Sequence, residues 1–145
     1  MSQLSNSEAF SQAYLKFKTV LSDVSDPKGK SKYIYGSFPI LLIDKRASYP
    51  LIVIEPVTIS SDALTFTNAK KGPLQVTVDV FATNTEDLDS MSDDIAKTMY
   101  DNDSSFTISG VTNMSLVSSS YSNFSRDRLH IHNRKFIYEF DYWWF

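Results

Sequence analysis

The chain's only two histidines, His130 and His132, flank a single residue, Ile131. In a strand that spacing points both imidazoles to one face, the arrangement of a two-histidine metal site that Asp127 or Glu139 would have to complete. Their company is basic: Arg126, Arg128 and Arg134 stand nearby and repel a cation. An edge strand whose polar face carries two imidazoles accounts for the same residues. The pair also lacks the specificity of a helical H-E-x-x-H motif. Gly29, Lys30 and Ser31 resemble the end of a phosphate-binding loop, but Val24 stands where that motif needs its first glycine. A lysine-rich connection is the simpler reading. Asp101, Asp103 and Ser105 open like a calcium loop, yet Phe106 replaces the required glycine and Thr112 the closing carboxylate. Glu139 and Asp141 are neighbours on one strand face, not a pair facing across a cleft as glycoside hydrolysis requires. There is no G-x-S-x-G elbow, and no cysteine to act as nucleophile, metal ligand or disulfide. No constellation joins nucleophile, base and orienter, so the chain reads as a non-enzyme without catalytic residues, metal ligands or a cofactor.

The elements that would position these residues fit one domain over residues 1–145. At 16.5 kDa, with 42% hydrophobic and 21% charged residues, the chain can bury roughly 68–70% of its unfolded surface without a staple. A net charge of -3 disfavours a duplex-DNA binder, whose affinity rests on clustered Lys and Arg. The sequence starts without a basic segment followed by an apolar one, and no apolar run approaches the roughly 20 residues that span a bilayer. A domain of a reducing, aqueous compartment is expected.

Phe10, Ala13, Tyr14, Phe17, Val20 and Leu21 follow helical spacing, and Ser5 with Glu8 forms a capping box, which predicts a helix over about 5–24. Asp26-Pro27 closes it, because the residue before proline avoids helical geometry. A second helix is expected over about 84–100, with Thr83 and Glu86 at capping-box spacing and Leu88, Met91, Ile95 and Met99 as its apolar stripe. Asp89, Asp93 and Asp94 lie off that stripe. Strands are expected at 38–43, 51–57, around Leu64 and Phe66, and from Leu74, where Leu74, Val76, Val78, Val80 and Ala82 alternate with Gln75, Thr77 and Asp79. Residues 106–111 and 114–118 read as a polar hairpin about Thr112 and Asn113. The serine-dense stretch 115–125 reads as a long polar connection. Over 134–145 a two-residue period puts Phe136, Tyr138, Phe140, Tyr142 and Trp144 on one face and Glu139, Asp141 and Trp143 on the other. The sum is an α+β domain, an antiparallel or mixed β-sheet packed against two amphipathic helices. A terminal strand apolar on both faces points to a partner subunit, with Trp143 and Phe145 on the face away from the helices. Lys70 and Lys71 fall in an expected exposed loop before the alternating strand, where an ordinary solvated turn accounts for them and registering a neighbour is the alternative.

This order of elements, with certain local strings, resembles tail terminator and tail-completion proteins of long-tailed bacteriophages. The matching pieces are the N-terminal amphipathic helix and YPLIVIEP at 49–56. LQVTVDVFA at 74–82 follows, then the acidic-capped helix through NTEDLDSMSDDIAKTM and the closing RKFIYEFDYWWF. The similarity is one of pattern and spans nearly the whole chain. It implies a structural virion protein, assembled in the host cytoplasm, whose subunits close a ring, a hexamer, on the head-proximal end of the tail tube. Tail tube protein and head-completion or neck proteins would be its partners. DNA would pass without specific binding, with acids such as Asp93 and Asp94 facing the lumen, and no membrane would be involved. Two other readings stand beside it: a cellular α+β domain that binds a ligand or partner in an apolar pocket, and a small metal-dependent protein using His130 and His132.

Overall fold

The helical period near the N-terminus becomes α1 (Asn6–Leu21), and the computed structural model describes residues 6–30, 32–36, 48–59, 65–66, 70–126 and 128–143. Ala13, Phe17, Val20 and Leu21 on its apolar face are buried, while Leu15 on the other side is exposed. Ser5, the expected cap, lies outside the described residues. After α1 the Asp26 carboxylate gathers the chain into a turn, accepting from the Lys28 and Lys30 amides at 3.1 and 2.7 Å and from Lys30 Nζ at 2.7 Å. Gly29 sits within this turn at φ +66°, a backbone state that glycine adopts without steric cost.

Short strands follow: β1 (Ile34–Tyr35), β2 (Leu51–Ile54), β3 (Thr58–Ile59) and β4 (Thr65–Phe66). The strand expected at 38–43 lies outside the described residues. The alternating segment is β5 (Lys70–Ala82), longer than its pattern suggested. Lys70 and Lys71 are therefore strand residues paired with Trp143 and Tyr142, not part of a loop. An extra residue between Lys71 and Leu74, at Gly72-Pro73, interrupts the alternation and then lets the strand resume, as a bulge does.

Helix α2 (Thr85–Asp101) is capped by Asn84, whose side chain accepts from the Asp87 amide at 2.8 Å; Thr83 stands one residue too early to be the cap. The segment read as the first arm of a polar hairpin is instead helix α3 (Asp103–Ile108). Burial of Phe106 decides this, its ring centroid 5.0 Å from that of Phe17, so tertiary packing overrides local propensity. The serine-dense stretch is likewise no connection. It belongs to β6 (Val111–Arg126), which pairs antiparallel with β7 (Leu129–Trp143).

The seven strands among the described residues form one mixed sheet with the path β1-β2-β5-β7-β6, and β3 and β4 also pair with β5. Among the described strands only β1 and β2 run parallel. Ile52, Ile54, the apolar row of β5 and the aromatic row Phe136, Tyr138, Phe140 and Tyr142 form one core with the helices. Phe17 lies at the centre of this aromatic packing, 5.4 Å from Phe140 and 6.3 Å from Tyr138. A smaller cluster of Tyr49, Leu51, Val53 and Ile131 covers part of the other sheet face. The chain is thus an α+β domain, as the sequence patterns indicate, with the mixed form of the sheet realised and a third, short helix added.

Candidate functional site

The histidine pair meets the geometry its spacing implies. His130 and His132 share a face of β7 with ring centroids 4.8 Å apart. The Nδ1 of His132 is engaged by the Tyr121 hydroxyl at 2.6 Å, and Asn123 Nδ2 donates to that hydroxyl at 3.4 Å. Among the described residues no three His, Cys, Asp or Glu side chains converge as a metal site needs. Glu139 and Asp141 are likewise not presented as a catalytic pair, since the Asp141 carboxylate accepts from Asn113 Nδ2 at 2.9 Å across to β6. Lys30 of the phosphate-loop-like string is bound to Asp26, which also occupies the amides a phosphate would need.

Asp93 and Asp94 are not equivalent. Asp93 is exposed on α2, whereas Asp94 is half-buried and its Oδ2 accepts from the Ser25 amide at 2.7 Å, fastening the loop after α1 to α2. Trp143 closes β7 opposite Lys70, and Phe145 lies outside the described residues.

A polar network that the sequence did not reveal crosses three strands on the sheet face away from the helices. Asp79 of β5 is buried, only 4% exposed, and accepts from Asn133 Nδ2 at 3.2 Å. The same amide also donates to the Val80 carbonyl, and Ser122 of β6 donates to Asn133 Oδ1 at 3.3 Å. Burial pushes the Asp79 carboxyl above its ordinary range, with Glu55 adding to the effect; the Asn133 hydrogen bond and the Lys135 charge oppose it. A charged residue in the otherwise apolar run 78–82 was the one signal available. Its partner, 54 residues away, left none.

The surface that departs furthest from ordinary behaviour is β6. From residue 115 to 125 every side chain is exposed, on both faces of the strand. Leu116, Val117, Tyr121 and Phe124 are large apolar members of that set. Beside Leu116 a groove of about 600 Å³ opens between β6 and the end of α2, lined by Met99, Tyr100, Met114 and Tyr138 among others. Tyr100, at its rim, is 84% exposed, while burial pushes the Tyr138 hydroxyl at its floor up to about 12. Apolar side chains bordering an open groove characterise surfaces that receive another molecule more than surfaces that face only water. Asp101 and Asp103, at the end of α2 and the start of α3, also line the groove. What the arrangement offers is apolar area and backbone hydrogen-bonding groups.

No known protein-family profile matches the chain, and no curated protein sequence matches it. Among the described residues no helix is long and apolar enough to cross a membrane.

Proposed function

We propose that this protein works by assembly, as a structural subunit of a phage tail that caps the tail tube and joins it to the head or neck. The observation that carries this reading is the β6 surface, a sixteen-residue strand on which Leu116, Val117, Tyr121 and Phe124 are exposed. The order of elements supports it as well: an amphipathic helix, a mixed sheet, an acid-rich helix and a long aromatic closing strand, as in the tail terminators the sequence resembles. A ring needs one surface patch to meet a different patch on the next copy, so that rotation closes the assembly. In this reading β6 with its groove is one such patch. The exposed carboxylate of Asp93 belongs to a surface that lets DNA slide past, since like charge repels phosphate.

The test is to polymerise tail-tube subunits of the virus encoding the chain, with and without the purified protein. The expected outcome is arrested growth and a ring at one tube end in negative-stain images. Six copies of 16.5 kDa, roughly 99 kDa, are the expected added mass. Unchanged tube lengths with bare ends would overturn the proposal.

One observation favours a second reading. The groove beside Tyr100 and Leu116 has the size of a small-molecule site and an apolar floor. In that reading the chain is a binding domain, and apolar ligands raise its melting temperature while leaving its mass unchanged.

A further inference from the structure

The outer edge of β6 is a strand edge without the usual protections. Natural proteins guard long exposed edges with lysine, proline, short length or bulges, because unpaired N–H and C=O groups template the pairing of another strand. Here none of the chain's 14 Lys and Arg or 17 Asp and Glu falls within 111–125, and neither does any of its 5 prolines. The strand does contain bulges, but they lie between Thr112 and Ser115 and between Leu116 and Ser118. From Ser118 onward the ladder to β7 runs without a break to Arg126. That leaves 118–125 as a regular, uncharged edge, and among the described residues β7 is the only strand paired with β6.

We infer that the edge of β6 is completed by a strand from a second copy of this chain, which extends the sheet between subunits. This rests on the assembly reading above and names the surface through which it acts. Strand addition draws affinity from main-chain hydrogen bonds and specificity from pockets for alternate side chains. Both are present here, since a strand laid along this edge passes over the groove beside Leu116 and covers Tyr121 on the same side. Electrostatics permit an identical partner. A segment with no charge over fifteen residues approaches its own copy without the like-charge repulsion that directly opposed side chains otherwise suffer. The strand edge supplies most of the area and the groove the rest. Residues 115–125, the exposed length of the strand, at about 3.3 Å each and with a sheet depth of about 10 Å, present on the order of 360 Å² per copy, about 700 Å² for two. The groove walls at Met99 and Tyr100 extend this toward about 1,000 Å², where specific interfaces begin.

The experiment measures mass by light scattering over a concentration series, for the wild type and for two proline variants, Ser119→Pro and Ser120→Pro. Neighbouring strand residues aim their N–H groups to opposite sides, so one of these prolines removes a bond to β7 and the other removes a donor from the free edge. The variant whose thermal melt stays near wild type is the edge variant. The expected result is a wild type whose mass rises above 16.5 kDa with concentration, and an edge variant that remains at 16.5 kDa over the same range. Should both prolines unfold the domain, the double variant Ser118→Lys with Ser120→Lys takes their place. Both serines are exposed, and the added charges should weaken association on the order of tenfold at low salt and less at high salt. A wild type that stays monomeric at every concentration overturns the inference. So does an edge or lysine variant that associates as the wild type does. A monomeric wild type that nevertheless caps tail tubes would remove the strand pairing alone, and a self-pairing protein that leaves tubes uncapped would remove only the terminator reading.

Discussion

Replacing Phe17 by alanine empties the place where the N-terminal helix meets the sheet. The side chain has no exposed surface, and the rings of Phe106, Phe140 and Tyr138 lie 5.0, 5.4 and 6.3 Å from its own. Phe→Ala substitutions in cores cost about 3–5 kcal/mol, the higher values arising where the surroundings cannot collapse into the void. Collapse is restricted here. One wall is β7, held between β5 and β6, and another is Phe106, fixed on its own short helix. The tilted ring pairs add about 0.5–1.5 kcal/mol each beyond the area they bury. A loss of about 4–5 kcal/mol is therefore expected. At about 2.1 cal/mol/K per residue the unfolding entropy of a 145-residue chain is about 0.3 kcal/mol/K, so the melting temperature should fall by about 13–16 °C. Circular dichroism melts and urea unfolding provide the assay, with an unchanged m-value confirming that the same surface unfolds. Leu15→Ala, on the same helix but 52% exposed, is the control and should stay within about 0.5 kcal/mol. A Phe17→Ala shift below about 3 °C, or one no larger than that of Leu15→Ala, would refute the docking of α1 on the aromatic row of β7.

Two further outcomes follow from the same reasoning. Burial raises the Asp79 carboxyl pKa above its ordinary value of 3.8, so the folded chain holds this proton to higher pH than the unfolded chain does. Stability is thus lost as pH rises from below the ordinary carboxylate range through the raised folded value. Asp79→Asn, which can still accept from Asn133, should escape that loss, and its melting temperature relative to wild type should be more favourable at about pH 7 than at about pH 3; an equal difference at both would contradict the argument. Asn84→Ala should lower stability by about 1 kcal/mol through the lost cap on α2, while Thr83→Ala should leave it within about 0.5 kcal/mol. Denaturant titration of both would expose a reversed assignment.

The periodic parts of the chain were legible because their periods reflect burial on one side. The face of α1, the apolar stripe of α2, the row 74–82 and the aromatic row 136–142 each repeat with the spacing of the element they form, and each lies in the core. Their composition and order fix an α+β domain with helices over one sheet face. The pairing of His130 with His132 was readable for the same reason, being a matter of strand geometry alone.

Residues 103–126 were not legible. Asp103–Ile108 carries no helical stripe longer than one turn, and only the docking of Phe106 against Phe17 makes it a helix. The serine run has no apolar period because neither of its faces is buried; it is a strand because β7 offers a free edge of backbone groups along its whole length. Hydrogen bonding between main chains does not depend on side-chain type, so a sequence records such a strand only weakly. Lys70 and Lys71 show the same effect, with a bulge hiding the continuity of β5. The Asp79–Asn133 contact joins residues 54 apart and follows from strand order, which no local pattern encodes. Sequence alone thus determined which segments must hide from water, since that is written in the spacing of apolar side chains. Tertiary structure decided which backbone edges meet and which is left open, because that depends on how the buried segments come together.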